Sequence, residues 1–158
     1  MSEDVVWDKA KGELRILGQR HAALDIQGFC AHLDLIVGAM IAEVVINQHE
    51  FRQGKEDAAS IRQRKPEAAI QELVDLFANA EALSGVGVVK VTIPETSLGP
   101  IDVEISNPCV NRTTGAAKSF LFSYWCGLFT QLLGKEFKIG QVAYDENKNL
   151  IKCQIIPR

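Results

Sequence analysis

At 158 residues the chain has the size of one domain and is long enough to bury a sizeable core. A net charge of −3 and a pI of about 5.6 argue against a polyanion binder, since phosphate neutralisation dominates nucleic-acid affinity. The longest apolar run, Leu35 to Ile46, contains Glu43 and falls short of the roughly 20 residues a membrane span needs.

The N-terminus, MSEDVVWDKAKGELR, is acidic and lacks the basic start and apolar centre of a secretory signal, so a cytoplasmic location is expected. Cys30, Cys109, Cys126 and Cys153 form no CxxC pair and read as free, buried thiols of a reducing compartment. Residues 1–12 read as a loosely docked leader and 13–158 as a single domain. Glu13 to Leu24 carries short apolar stretches around Gly18, compatible with a short strand or an extended arm.

Asp25 is placed to cap a first long helix, about residues 26–53. Phe29, Leu33, Val37, Met40 and Val44 form one stripe, which Cys30, Ile36, Ile41 and Val45 widen. Gly38 and Ala42, four apart, present a shallow groove where a second copy of the helix can pack across a dimer axis. A central helix inside a monomer explains the same pattern. Gln53-Gly54 reads as the end of that helix, and 54–65 as a charged connection. Pro66 suits the first position of a second helix. Its buried stripe is Ile70, Leu73, Val74, Phe77 and Ala80, with Glu72, Asp75, Asn79 and Glu81 facing water and Gly85 as C′ residue.

Val86–Pro94 and Ile101–Ser106 alternate as strands, and their short link favours an antiparallel pair. Asn107-Pro108 ends the second strand, because proline has no N–H to donate. Thr113 or Thr114 can then cap a helix whose middle, SFLFSYWCGLFTQLL, is apolar in every direction. Such a helix requires cover on most sides. Phe137–Tyr144 and Leu150–Ile156 form a last strand pair, with a bulge at Gly140 where the apolar phase shifts. The order helices, two strands, helix, two strands predicts an α+β domain with a four-stranded antiparallel sheet covered by long helices.

No GxSxG, P-loop, HExxH or strand-following GxGxxG is present, and His21, His32 and His49 have no metal-ligand spacing. His32, among apolar neighbours, reads as a core or interface histidine. Phe120, Phe122, Tyr124, Trp125 and Phe129 crowd ten residues. Large rings either fill the core or line an apolar pocket, in which Ser123, Tyr124, Trp125 and Cys126 would be the placed polar groups.

The run ISNPC, then SFLFSYWCGLFTQLLG, a strand and the terminal KCQII resembles the 4-vinyl reductase, or hydrocarbon-binding, domain family, itself similar to subunits of the TRAPP vesicle-tethering complex. LDLIVGAMIAE in the first helix and ALSGVGVVKV at the start of the sheet fit the same pattern, which covers about residues 20–157. The resemblance implies an α+β fold, dimeric through helices, with an apolar cavity between helices and sheet. The resemblance does not settle the activity; the first reading is a non-catalytic pocket lined by Phe29, Leu33, Val37, Phe120, Tyr124, Trp125 and Phe129, for an acyl or aromatic ligand. A structural dimer or scaffold with a filled core is the alternative, and a role in tetrapyrrole vinyl reduction a further one. Metal-binding members carry a glutamate and a cysteine shortly before the final cysteine, and another cysteine upstream. Here Cys153 matches the last and Cys126 stands for the upstream one, but VAYDENKNLIK between them holds no cysteine. Asp145 and Glu146 offer only oxygens, so neither zinc nor another cofactor is expected. The acylated cysteine of the TRAPP relatives lies on their first long helix, where this chain has Cys30.

Overall fold

The computed structural model describes residues 25–94, 99–110 and 115–158 in full, and the backbone of three N-terminal strands before them. Those strands are β1 (Val5–Asp8), β2 (Glu13–Ile16) and β3 (Gln19–His21), joined antiparallel in the order β1-β2-β3. The stretch expected as a leader thus carries a strand, hydrogen-bonded to its successor from Val5↔Ile16 to Asp8↔Glu13.

Two helices follow where one was expected. Helix α1 is Ile26–Val37 and α2 is Ala39–Arg64. Asp25 caps α1 by accepting from the Gly28 N–H at 3.0 Å. Gly38 breaks the rod: its φ of 84° and ψ of 143° lie in a region glycine alone occupies readily. Gly54, read above as a helix end, lies inside α2, and the supposed connection after it continues as helix to Arg64. Helix α3 is Ile70–Ser84, starting four residues later than Pro66, and it ends at Gly85 in the left-handed conformation as expected. Leu73, Val74 and Phe77 are its buried face.

The second sheet is antiparallel throughout, in the order β4-β5-β7-β6, with β4 Val88–Thr92, β5 Ile101–Ser106, β6 Phe137–Asp145 and β7 Leu150–Pro157. Alternation sets its faces: Ile101, Val103, Ile105, Ile151, Cys153 and Ile155 point inward and are buried. Asp102, Lys152 and Gln154 point outward, and Lys152 pairs with Glu104 at 2.5 Å. The register of β6 on β7 shifts between Ile139 and Val142, the bulge expected at Gly140. A Cβ at Gly140 would lie 2.6 Å from the Gln154 carbonyl oxygen, so the bulge brings two backbones together where only glycine fits.

Helix α4, Gly115–Leu133, is the centre of the layer stack. Every residue from Leu121 to Phe129 is buried, and of Gly115–Phe120 only Lys118 and Phe120 are partly exposed. The expected caps Thr113 and Thr114 lie outside the described residues. Among the described residues its N-terminus is served from another helix: the Ala116 N–H donates to Asp34 Oδ1 of α1 at 3.3 Å.

One side of α4 packs on the sheet and the other on α2, which runs parallel to it at a nearly constant offset. Glu43 pairs with Lys118, and Asn47 Nδ2 donates to Ser123 Oγ at 2.7 Å. At the crossing each helix contributes a glycine. A Cβ on Gly54 would collide with the Tyr124 carbonyl oxygen and lie 2.9 Å from the Leu128 nitrogen. A Cβ on Gly127 would collide with the Phe51 carbonyl oxygen and lie 2.8 Å from its carbon. The two backbones meet directly, as small residues permit. Neither clash can be relieved by a rotamer change, because the opposing atoms are main chain. Gly127→Ala should therefore lower stability by about 3 kcal/mol or more, roughly 6–12 °C in Tm for a domain of this length. A thermal melt within 2 °C of the wild type would contradict the close crossing.

Candidate functional site

The residues proposed from the sequence as a pocket divide into two sets. Tyr124, Trp125 and Phe129 come together inside, Trp125 and Phe129 with 0% exposure. Phe120 and Leu33 are partly buried against that core. Phe29 and Val37 are not: both are solvent-exposed on α1, whose one buried side chain is Cys30. The dimer groove also needs correction. Ala42 is fully buried in its own fold while Gly38 forms an exposed elbow, so the two do not make one groove. The exposed apolar residues around them are Leu35, Ile36, Met40, Ile41, Val44 and Val45, with Leu35 and Met40 each 80% exposed. His32 is exposed too, and His49 pairs at the surface with Glu50.

The interior rings form a continuous ladder from α3 through α4 to β6. Phe77 meets Tyr124 edge-on at 6.2 Å, Tyr124 meets Trp125 at 6.0 Å and 87°, Trp125 meets Phe129 at 5.9 Å, and Phe129 meets Phe137 at 6.2 Å. These are the edge and tilted arrangements that ring quadrupoles favour. Phe77 and Phe137 are the members that a window on α4 alone did not include, although each stood out as an apolar position of its own element.

Polar chemistry enters the ladder at two places. Tyr124 Oη donates to Asp57 Oδ2 at 3.1 Å, and Gln53 Nε2 donates to Asp57 Oδ1 at 2.9 Å. The other place is Trp125 itself. Its indole Nε1 is buried and has no hydrogen-bond partner among the described residues; Ser119 Oγ, on the same helix, is in the same condition. Buried donors without partners are rare, and each asks for an explanation.

The ladder's Tyr124 end lies in an acidic setting. Glu50 and Asp57 come from α2 and Glu81 from α3. Burial, then the Glu50 and Asp57 charges, push the Glu81 carboxyl up to about 8. Burial likewise raises Glu50, against the opposing pull of His49. Glu81 was expected to face water with Glu72 and Asp75; instead it sits half-buried at the end of α3. Burial and the Asp57 and Glu81 charges hold the Tyr124 phenol well above its ordinary range.

The thiols are inert for the same reason. Burial pushes Cys30 and Cys109 up to about 11 and Cys153 up to about 12, and raises Cys126 as well. Cys126 and Cys153 are near enough to act on each other electrostatically. Among the described residues, however, no group of three His, Cys, Asp or Glu could hold a metal ion. Two protonated thiols without further ligands do not suit zinc. On the sheet's outer face a groove of about 270 Å³ is lined by Asp102, Glu104, Gln141, Ala143, Lys152 and Gln154. It lies across the sheet from the ring ladder.

The Glu81 carboxyl has a higher pKa folded than unfolded. It therefore opposes folding increasingly as pH rises through the window from about 4.5 to about 8. Glu81→Gln should raise Tm at pH 8 by roughly 3–8 °C and flatten the stability profile across that window. Denaturation at pH 5 and pH 8 checks this; an equal effect of the substitution at both would contradict it.

No family model and no curated protein matches the sequence. Solved structures do match the fold. The phenol-responsive sensory domain of the transcription activator PoxR, solved with phenol, superposes with a TM-score of 0.75 at 14% identity. That match covers 98% of this chain and 85% of the other. A vinyl-4-reductase family protein from Methanocaldococcus jannaschii matches at 14% identity with a TM-score of 0.44, over 87% of this chain and 99% of that one. Among the described residues no helix is long and apolar enough to cross a membrane. The chain is an α+β domain with the fold of that sensory domain.

Proposed function

We propose that the protein is a non-catalytic small-molecule binding module. Its ligand is a compact lipophile, aromatic or acyl, bearing an acceptor oxygen, and it lodges against the α4 ring ladder. The observation that carries this reading is the Trp125 indole N–H, buried among rings and donating to no described group. A ligand oxygen would satisfy that donor, and the rings would supply the apolar contact that most pockets provide. The fold supports the reading, since a domain built this way binds phenol in PoxR. The chemistry of the interior supports the absence of catalysis: the described cysteines are held protonated and the described histidines are exposed.

Isothermal titration with phenol and with toluene tests both halves. Wild type should bind both. Trp125→Phe should weaken phenol about five- to tenfold, the worth of one hydrogen bond, and leave toluene unchanged. Failure of the wild type to bind either, or equal loss of both in the variant, would overturn the assignment.

The module is a homodimer in this reading, through the exposed α1–α2 elbow at Gly38 rather than through a Gly38–Ala42 groove. Leu35, Ile36, Met40, Ile41, Val44 and Val45 make one contiguous apolar surface. Patches of several hundred Å² mark interfaces, and a stable one takes about 800 Å² per partner. The patch wraps an elbow whose two arms can each cross a copy of the other. Met40→Glu with Val44→Glu should give a monomer by light scattering; an unchanged mass would refute this interface. A dimer that binds no ligand would favour a scaffold with a filled core.

A further inference from the structure

We infer that α1 is a hinged cover over the N-terminal end of α4, turning at Gly38 and latched by the Asp34 carboxylate on the Ala116 N–H. The hinge is the single residue between α1 and α2. It is a glycine at φ 84°, and a Cβ there would meet nothing within 4 Å, so no packed neighbour braces the elbow on that side. The latch is the polar bond that crosses from α1 to α4. The Asp34 carboxylate faces the first turn of α4, where unpaired N–H groups and the helix dipole favour a negative charge. Gly115 is shaped to it: its φ is 62°, and a Cβ there would lie 2.9 Å from Asp34 Oδ2. Apart from these, α1 is lightly held. Cys30 is its one buried side chain, with Ile26 and Leu33 partly buried. Beneath it lie Glu50 of α2 and Cys109 after β5, both close enough to Cys30 to act on its thiol. The buried Ala116 and Ala117 of α4 adjoin the latch. Swinging α1 away therefore uncovers the first turn of α4 without disturbing the Gly54–Gly127 crossing. That this opening admits the ligand rests on the function proposed above; the hinge and latch do not.

Pulsed alkylation of the whole protein with N-ethylmaleimide, read by mass spectrometry at each cysteine, tests the cover without any ligand. Asp34→Ala should speed labelling of Cys30 about five- to tenfold, the effect of losing one cap, with Cys126 and Cys153 unchanged. Asp34→Asn, which keeps an acceptor oxygen, should stay within about twofold of wild type. Uniform acceleration at all three cysteines, no acceleration at Cys30, or Asp34→Asn behaving as Asp34→Ala would each overturn the latch. In the wild type, amide exchange of residues 26–37 should proceed as one group, faster than 45–61 of α2; exchange of both at one rate would overturn the hinge. For the entry role the probe is N-phenyl-1-naphthylamine, a neutral fluorescent aromatic. Its association rate in stopped flow should rise in Asp34→Ala by the same factor as Cys30 labelling. An unchanged rate would overturn entry under α1, and no binding by any variant would count against the binding module while leaving the cover standing.

Discussion

The fold rests on the place where α2 and α4 touch backbone to backbone. Gly54 and Gly127 each face a carbonyl of the other helix, leaving no room for a side chain at either position. This contact holds the two helices parallel and close, which forces every other side of α4 to be covered by something else. The sheet takes the opposite side, α3 the Tyr124 edge through Phe77, and α1 the N-terminal end through Asp34. A helix with apolar residues all round is thereby made compatible with water outside.

The same packing explains why polar groups in this interior are so constrained. Asn47 with Ser123 and Asp57 with Tyr124 are cross-helix pairs on the α2 side, where two polar surfaces could be matched residue by residue. Trp125 packs against the Tyr124 and Phe129 rings, and its indole N–H has no partner among the described residues. Burying a hydrogen-bonding group without a partner costs about 1–3 kcal/mol, a cost that selection for stability alone would remove with Phe. In the proposed function, the acceptor oxygen of a ligand would complete that bond. The acidic cluster nearby works in the opposite sense, disfavouring an anion at the Tyr124 end of the ladder.

The elements readable from the sequence were those whose signal is local. The alternation of Ile101–Ser106, the phase slip at Gly140, Gly85 after an amphipathic run and Asp25 ahead of α1 each depend on a few neighbouring residues. What failed was the meaning of two glycines. Gly54 carries the composition of a helix stop, yet it serves a close approach to a helix some seventy residues later in the chain. Gly38 carries the composition of a packing groove, yet it bends the chain. Propensity is the same in both cases; only the tertiary partner distinguishes them. The site was half readable for a related reason. Tyr124, Trp125 and Phe129 lie on a helix covered on most sides, so each is inside, whereas α1 buries only Cys30 and leaves Phe29 and Val37 exposed. Glu81 looked like a solvated residue because its neighbours Glu50 and Asp57 are distant in sequence.

The most direct test of the account is the nitrogen–proton NMR signal of the Trp125 indole. The chain has two tryptophans, and Trp7→Phe leaves this one alone. On adding phenol, the account predicts a downfield shift of the Nε1 proton and slower exchange with water, as the donor acquires its acceptor. An indole signal unmoved at saturating phenol would contradict it.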